Sequence, residues 1–542
     1  MIKNTIFLFF IFGSIISCTN RVDLLVHNAN VYTVNEAFDK ASAFVVNNGK
    51  FVAVGGEELV KKYNAVNTVD ARGLAIFPGL IDSHAHLFSL GLKKFKVDLR
   101  DARNMNELIQ RIKNHQNKYN QKIILGEGWD QSQWDDSSFP DNQLLNDAFP
   151  DVPVVLERID GHAYLVNQKA IEMADIDTFL MVEGGQIGKR NGKLTGLLVD
   201  AAKQLVHKII PEFSNEQKIE ALIKAQEHCF ENGLTTVDQA GISKNDIYLI
   251  DSLQKKELLK LRVYAMIEND PNSIDHFINK GKFKTDLLNV SSVKVFADGA
   301  LGSRGAALID EYSDQSGYKG SLLISRDSLM RLGKLLAEKS FQMNTHAIGD
   351  AANKMVLEVY NHLLSQKKDP RWRIEHVQVV SPKDLPRFNN KIIPSIQPTH
   401  AISDMKWSID RLGRERLEGA YAYKDLLDWS GFLALGTDFP VENINPFETF
   451  YTAVARKIPN DSSSVAFQPK NALTRYEAIL GMTRWAAYAN FEEKEKGSIE
   501  VGKFADFIIL DQDIMEVNIE SVPQTRIVAT ILNGKIVFSN RL

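Results

Sequence analysis

The sequence predicts an α/β fold in which a (β/α)8 barrel carries a small β-sandwich formed from both chain ends. Between residues 80 and 469, apolar strand-like segments alternate with polar loops and amphipathic helices, the pattern that builds a parallel sheet. Residues 22–79 and 470–542 instead hold short alternating segments broken by Asn-Gly and Gly-Gly turns, which favour a β-sandwich. A length of 542 residues exceeds one ordinary domain but suits a barrel with insertions.

The barrel strands are predicted from eight segments with β-rich cores that run into polar loops. They are residues 81–86, 235–239, 262–267, 293–298, 342–346, 373–377, 392–397 and 432–438. Two more apolar segments, 123–125 and 152–156, fall between residue 87 and about residue 231. That stretch is too long for a single crossover, so we expect an insertion after the first barrel strand.

The first 18 residues have the layout of a secretory signal. Lys3 precedes an apolar run at 6–16 that is too short to span a bilayer. The run leads into Ser17-Cys18, which resembles a bacterial lipobox with a lipidated cysteine; an ordinary secretory signal with an incidental cysteine is the alternative. We therefore expect an exported lipoprotein of a bacterial cell envelope, on the periplasmic side or the surface. Its only membrane contact would be a lipid on Cys18.

Charge and cysteine content limit the partners and constraints of the chain. The formal net charge is -4, so no basic excess is present to neutralise nucleic-acid phosphates. Cys18 and Cys229 are the two cysteines, and a lipidated Cys18 leaves no disulfide partner. Cys229 lies on the apolar face of a predicted helix, where we expect a packed core thiol. The expected partner is a small-molecule substrate, and a homodimer is compatible with the sequence.

Polar residues at the ends of the predicted strands indicate a metal site, because barrel enzymes place their chemistry at the C-terminal ends of the strands. His84 and His86, two residues apart in an extended segment, project from one face and can share one cation. The other strands contribute Lys294, His346, His376 and Asp438. Imidazole nitrogens with a carboxylate suit zinc, and also manganese, cobalt, nickel or iron. We expect one or two divalent ions.

Several motifs resemble one family of hydrolases. Residues 77–86, which include Asp-Ser-His-Ala-His at 82–86, are similar to the opening signature of the amidohydrolase superfamily. Later segments are similar to amidohydrolase family 3, the N-substituted formamide deformylase-like group: 293–299, 346–350, 373–376, 395–398, 436–440 and 497–506. The resemblance covers nearly the whole mature chain. It implies the barrel fold and a metal-dependent hydrolase.

The resemblance also implies a ligand set in two groups, each holding one ion: His84, His86 and Asp438, then His346 and His376. Lys294 would bridge the two ions as a CO2-derived carbamate. Carboxylation answers the difficulty that a lysine ammonium group repels a metal ion. A single metal ion without a bridging carbamate, as in some members of the superfamily, is the alternative.

The implied reaction is hydrolysis of a C–N bond in an amide, an N-substituted formamide or a related cyclic amide. A metal ion lowers the pKa of bound water from about 15.7 to near 7, so metal-bound hydroxide is available as the nucleophile. Asp438 would accept the proton as a general base and return it to the departing nitrogen as an acid. The alternatives are ester hydrolysis by an enzyme of the same superfamily, and a non-catalytic solute-binding envelope lipoprotein.

Residues outside the ligand set are candidates for substrate recognition. His162, in a segment that resembles the family's Asp-Gly-His, is the first candidate for a donor to the substrate. Arg304 follows the fourth strand and is a candidate anchor for an anionic or carbonyl group. Trp129, with Trp134, is a candidate apolar wall, and His400 is a further candidate contact. The histidines at 27, 115, 207, 228, 276 and 362 are expected to be surface or hydrogen-bonded residues.

Overall fold

The computed structural model describes residues 20–540, which form a barrel and three further sheets. Cys18 and the predicted signal segment lie outside the described residues, so lipidation stays a prediction. Within residues 20–540, no helix combines the length and the apolar character that crossing a membrane requires.

The described chain begins with short strands joined by tight turns, as the alternating pattern predicts. Asn48 and Gly49 have φ values of 49° and 74° and form the two-residue turn of a β-hairpin, for which Asn-Gly is a preferred pair. Helix α1 is Glu58–Lys62. The strands are β1 Asn20–His27, β2 Asn30–Tyr32, β3 Lys40–Ala41, β4 Ala43–Asn47, β5 Lys50–Gly55, β6 Tyr63–Asp70 and β7 Ala75–Pro78.

The first barrel strand, β8 (Leu80–Ala85), is followed by an insertion that forms a sheet of its own. Its strands are β9 Val97–Asp98, β10 Ile124–Trp129, β11 Val154–Arg158, β12 Ala163–Val166, β13 Gly185–Arg190 and β14 Lys193–Asp200. Its helices are α2 Leu87–Leu92, α3 Met105–Tyr119, α4 Gln143–Ala148 and α5 Gln168–Met173. The apolar segments at 123–125 and 152–156 thus contribute to β10 and β11 and not to the barrel.

The remaining barrel strands lie close to the segments predicted for them. They are β15 Leu234–Ile242, β16 Arg262–Ile267, β18 Leu288–Phe296, β19 Gln342–Ala347, β20 Trp372–His376, β21 Ile392–Ile396 and β22 Ala434–Leu435, with a short β17 (Phe283–Lys284) antiparallel to β18. Neighbours pair in parallel in the order β8-β15-β16-β18-β19-β20-β21-β22. The predicted barrel is confirmed. Its last strand is shorter than 432–438 because Asp438 has a φ of 63°, which an extended strand does not contain.

The barrel closes between its last and first strands. The backbone N–H of Asp438 donates to the carbonyl of His84 at 2.8 Å, and the N–H of His86 donates to the carbonyl of Phe439 at 2.8 Å. A Cβ atom at Gly436 would lie 2.6 Å from the backbone nitrogen of His84. Glycine at 436 therefore permits the close approach that joins the two strands.

Helices cover the outside of the barrel. They are α6 Asn215–Glu231, α7 Lys244–Lys255, α8 Pro271–Lys280, α9 Arg326–Glu338, α10 Asp350–Leu364, α11 Pro398–Ser403, α12 Ser408–Leu417, α13 Tyr423–Ser430, α14 Pro446–Ala455, α15 Arg475–Gly481 and α16 Arg484–Ala489. The Ser243 side chain accepts a hydrogen bond from the N–H of Asp246 and so caps α7. Cys229 on α6 is buried and unpaired, as expected for a core thiol.

The end of the chain returns to its beginning. The strands β23 Phe507–Leu510, β24 Ile527–Leu532 and β25 Lys535–Ser539 join β7, β2 and β3 in one sheet, because β23 pairs antiparallel with β7. A second sheet, β5-β4-β1-β6, shares an apolar core with the first that includes Phe44, Phe51 and Phe507. The predicted fold class, including the sandwich from both chain ends and the insertion, is confirmed. The exact bounds of the domains stay predictions.

Candidate metal centre

The predicted ligands converge on the rim formed by the C-terminal ends of the barrel strands. His84, Lys294 and His346 lie near the ends of β8, β18 and β19. His376 ends β20, and Asp438 follows β22. All five side chains are buried, with at most 5% of each residue exposed. Parallel strands bring residues that are 354 positions apart in sequence (438 minus 84) to a common edge.

The closest group consists of His84, His376 and Asp438, which each offer a ligand atom within 4.8 Å of the others. His86 adjoins this group, with its Nε2 atom 3.1 Å from Asp438 Oδ1. The ring centres of His346 and His376 are 4.5 Å apart. Lys294 Nζ lies 3.1 Å from His84 Nε2. The structure therefore brings all six predicted ligands into one cluster.

Glu375 fixes the orientation of His84. Its Oε2 atom lies 2.5 Å from His84 Nδ1, which leaves Nε2 of the ring facing the cluster. Arg373 in turn donates to Glu375 Oε1 at 2.8 Å and to Asp238 Oδ2 at 2.7 Å, and all of these side chains are fully buried. Burial opposes ionisation of Glu375, but Arg373 and His84 outweigh it and hold its pKa well below the usual range. A charged carboxylate thus orients a ligand of the cluster.

The backbone of two ligand residues lies in the left-handed region. His376 has a φ of 73° and Asp438 a φ of 63°, and the β-branched Val377 follows with a φ of 48°. Residues other than glycine rarely adopt these values, and such strain concentrates at functional sites. The local backbone is therefore held by the surrounding barrel in the conformation that turns these two side chains into the mouth.

His400 links Asp438 to a second carboxylate. Its Nε2 atom lies 3.2 Å from Asp438 Oδ2, and its Nδ1 atom lies 2.9 Å from Glu442 Oε1. Burial alone would lower the pKa of His400, but the hydrogen bonds to Asp438 and Glu442 raise it to about 10. The ring is therefore protonated at neutral pH and holds one oxygen of Asp438 in place.

The donor set fits a divalent metal ion. Burial and neighbouring cations hold the pKa values of His346 and His376 well below the usual range, so both rings are neutral, as metal ligands must be. His376 Nδ1 is buried without a hydrogen-bond partner. Buried polar atoms normally have a partner, and a cation held by nitrogen and oxygen donors supplies one. The cluster thus has the donors, the burial and an unpaired nitrogen atom, as a metal site requires.

Comparison with known families agrees with this geometry. The model of the amidohydrolase family matches residues 67–538. The chain belongs to the amidohydrolase family. The resemblance of the strand-end motifs to that family is therefore confirmed, and the chain is a hydrolase by family.

Curated relatives match this amidohydrolase over almost its whole length. Protein LONG AFTER FAR-RED 3 of Arabidopsis thaliana is 32% identical, with 95% of this chain and 91% of the relative covered. The putative amidohydrolase YtcJ of Bacillus subtilis is 32% identical, with 94% and 98% covered. The N-substituted formamide deformylase of Arthrobacter pascens is 24% identical, with 95% and 98% covered.

Solved structures show the same fold. An uncharacterised metal-dependent hydrolase from Pyrococcus horikoshii superposes with a TM-score of 0.74 at 29% identity, covering 92% of this amidohydrolase and 99% of that chain. The zinc complex of the chlorohydrolase TrzN from Arthrobacter aurescens superposes with a TM-score of 0.53 at 14% identity, covering 95% of both chains. The second similarity is one of fold alone.

The insertion of this amidohydrolase contributes His162 to the mouth. The ring centre of His162 lies 5.1 Å from that of His346, and Asp200 Oδ1 lies 2.8 Å from His162 Nδ1. Burial lowers the pKa of His162, but the hydrogen bond and charge of Asp200 outweigh burial and raise it. His162 is thus placed beside the cluster of candidate ligands, and its role as a donor to the substrate stays a prediction.

The surroundings of two predicted substrate contacts correct one of them, Trp129, and show a partner for the other, Arg304. Trp129 is fully buried in the core of the insertion, and its indole N–H donates to the carbonyl of Leu156 at 3.0 Å. Arg304 is paired with Asp314 through two hydrogen bonds, at 3.1 and 3.0 Å. Trp129 is therefore a core residue and not a wall of the mouth, whereas the role of Arg304, which is paired with a carboxylate, stays a prediction.

Sequence reasoning missed several residues that orient the ligands and loops. Glu375 lies inside the family-like motif at 373–376, directly before the candidate ligand His376, and this position could have indicated its role. Glu442 follows Asp438 by four residues, and nothing in the sequence distinguishes it from other acidic residues in loops. Asp200 lies 38 residues after His162, and no sequence pattern indicates that the two residues are paired.

Proposed function

We propose that this amidohydrolase cleaves a C–N bond in an amide, an N-substituted formamide or a related cyclic amide, with the help of a divalent metal ion. The observation that carries the proposal is the buried group of His84, His376 and Asp438, in which His376 Nδ1 has no hydrogen-bond partner. The Arthrobacter pascens relative, named as a deformylase of N-substituted formamides, supports the bond type, since the two chains align over 95% of this one.

The ligands of the ion would be His84, His86, His346, His376 and Asp438, with zinc the first candidate because nitrogen donors dominate. When bound, the ion would lower the pKa of a coordinated water and polarise the substrate carbonyl. The site could hold one ion or two, and the metal content per chain distinguishes these alternatives.

Asp438 is proposed to move the proton. Its Oδ2 atom is held by His400, whereas Oδ1 lies 3.1 Å from the candidate ligand His86 Nε2 and is the oxygen that would accept a proton from the attacking water. The same atom would then deliver that proton to the departing nitrogen, as a general base that becomes an acid. His162 would donate a hydrogen bond to the substrate, because Asp200 occupies Nδ1 and leaves Nε2 for this contact.

Lys294 is proposed to carry a carbamate that bridges two ions. Only a neutral amine reacts with CO2, and burial lowers the pKa of Lys294 to about 8, which raises the neutral fraction at physiological pH. The short distance of 3.1 Å between Lys294 Nζ and His84 Nε2 would bring the carbamate oxygens among the ligands.

A turnover screen tests the proposal. Protein reconstituted with zinc is assayed against matched panels of N-substituted formamides, other amides, cyclic amides and esters. An Asp438→Asn variant is assayed in the same way. We expect turnover of at least one compound with a C–N bond, abolished by chelator and restored by the ion. Hydrolysis confined to esters would overturn the assignment of the bond, and an unchanged rate in the variant would overturn the role of Asp438.

We further propose that the chain is exported and anchored by a lipid on Cys18, which lies outside the described residues. The support is the sequence alone, in which an apolar run precedes Ser17-Cys18. Mass spectrometry of the N-terminal peptide, with a Cys18→Ala control, would show a diacylglycerol adduct if the proposal holds. A free or uncleaved N-terminus would contradict it.

A further inference from the structure

Phe296 is an aromatic side chain that stays exposed at the barrel mouth. It ends β18, two residues after Lys294, so the two side chains project from the same face of the strand. The other residues of β18 are buried, whereas Phe296 is 40% exposed. A large apolar ring that remains in contact with solvent beside a cluster of catalytic candidates is a surface available to a ligand.

The Phe296 ring borders the cluster of candidate metal ligands on one side and the insertion on the other. Its centre lies 5.2 Å from the ring centre of His346 and 6.4 Å from that of His162. Lys294 Nζ is 5.1 Å from the same ring. Phe296 is therefore close enough to the candidate ligands for its ring to border a substrate group next to the reacting carbonyl.

The charges of the neighbouring loops favour an uncharged group at this place. On the insertion side, the cations are paired with carboxylates: His162 with Asp200 at 2.8 Å, and Lys203, whose charge acts on His162, with Glu157 at 3.2 Å. An anionic group would have to displace one of these carboxylates. An apolar group would instead cover the exposed ring, which removes apolar surface from water.

We propose that Phe296 forms one wall of a subsite that takes an uncharged apolar group, and above all an aromatic ring, next to the bond that is hydrolysed. The inference rests on the proposed function, because the position of the proposed metal site defines where that bond lies. A substrate ring can stack offset or edge-on against Phe296, whereas a small aliphatic group leaves most of it exposed. Phe296 is therefore a specificity-determining residue.

Two metal-directed hydroxamates that differ only in the neighbouring group test the subsite. The affinities of phenylacetohydroxamic acid and acetohydroxamic acid for the zinc-loaded full chain are measured by calorimetry. The same is done for Phe296→Ala, for Phe296→Leu, and for Phe179→Ala, whose side chain on the insertion is 90% exposed. Metal content is measured in each sample, because Phe296 also contacts His346.

We expect the phenyl compound to bind the unaltered protein about tenfold more tightly than acetohydroxamic acid. Phe296→Ala removes most of that preference, Phe296→Leu removes part of it, and Phe179→Ala leaves it intact. Acetohydroxamic acid binds all four proteins alike.

Equal affinities of the two compounds for the unaltered protein would overturn the subsite while leaving the metal centre in place. A preference that survives in Phe296→Ala would overturn its assignment to Phe296. Failure of both compounds to bind the zinc-loaded protein would contradict the proposed function itself, and the inference would fall with it.

Discussion

His84 and Phe296 lie on the same rim of the barrel, yet His84 is fully buried and Phe296 is 40% exposed. On the side of His84, two candidate ligands are held by further residues: Glu375 holds His84, and His400 holds Asp438. On the side of Phe296, the insertion contributes His162, and the Phe296 ring is in contact with solvent. We therefore expect the barrel side to give the rigid support that catalysis needs, and the insertion side to select the substrate.

The largest effect is expected at Asp438, on the barrel side. Asp438→Asn keeps the size of the side chain but removes the proton acceptor and weakens a metal ligand. We expect turnover to fall by about a thousandfold or more. The measurement is kcat/KM on the best substrate of the screen, with His362→Ala on the exposed face of α10 as the control. A loss below tenfold would place the proton transfer elsewhere.

A smaller effect on the same side is expected at Glu375. Glu375→Gln removes the charge that orients His84 while leaving a side chain of the same shape, so metal affinity should fall by about 10- to 100-fold. Competition with a chromophoric chelator measures that affinity, and Glu358→Gln on α10 is a matched control away from the cluster. Unchanged affinity would show that Glu375 serves only to pair Arg373.

On the insertion side, His162→Ala separates selection from metal binding. We expect metal content to stay the same while kcat/KM falls by about tenfold, the value of one hydrogen bond to the substrate. Plasma mass spectrometry and steady-state kinetics measure the two quantities on the same samples. Metal loss in this variant would erase the distinction between the two sides.

The smallest effect concerns stability and pH. Asp200 raises the pKa of His162 in the folded protein, so the pair contributes stability that is fully present below the unfolded pKa of about 6.5. That contribution is lost as pH rises through the raised folded value. In urea denaturation of metal-free protein, Asp200→Asn should be less stable than the unaltered chain by about 1 kcal/mol at pH 5.5 and by less at pH 9. A gap that widens with pH would contradict the pairing.

The two sides also differ in how far the sequence predicts them. The strand ends could be predicted because a strand's side chains alternate and parallel strands share an edge, so His84, His346 and His376 were brought together by topology alone. The surroundings of Trp129 and Arg304 could not be predicted from the sequence. The burial of Trp129 in the insertion and the pairing of Arg304 with Asp314 depend on how loops from distant parts of the chain pack.

His400 illustrates the boundary between the two cases. Its position beside the seventh strand placed it at the mouth, and the structure keeps it there. The sequence did not show that both ring nitrogens are engaged by carboxylates, because Asp438 and Glu442 approach it from the loop that follows the next strand. Strand order predicts which residues meet at a rim, and side-chain packing decides which of them remain free to meet a substrate.

The metal content of the purified protein tests the central claim most directly. Protein lacking residues 1–18 is prepared without chelator, beside Lys294→Ala, and both are analysed by plasma mass spectrometry. We predict close to two ions per chain, falling to one or none in the variant; one ion in both proteins would retain the metal site and reject the bridging carbamate. An absence of bound metal after zinc and bicarbonate are supplied would contradict the account.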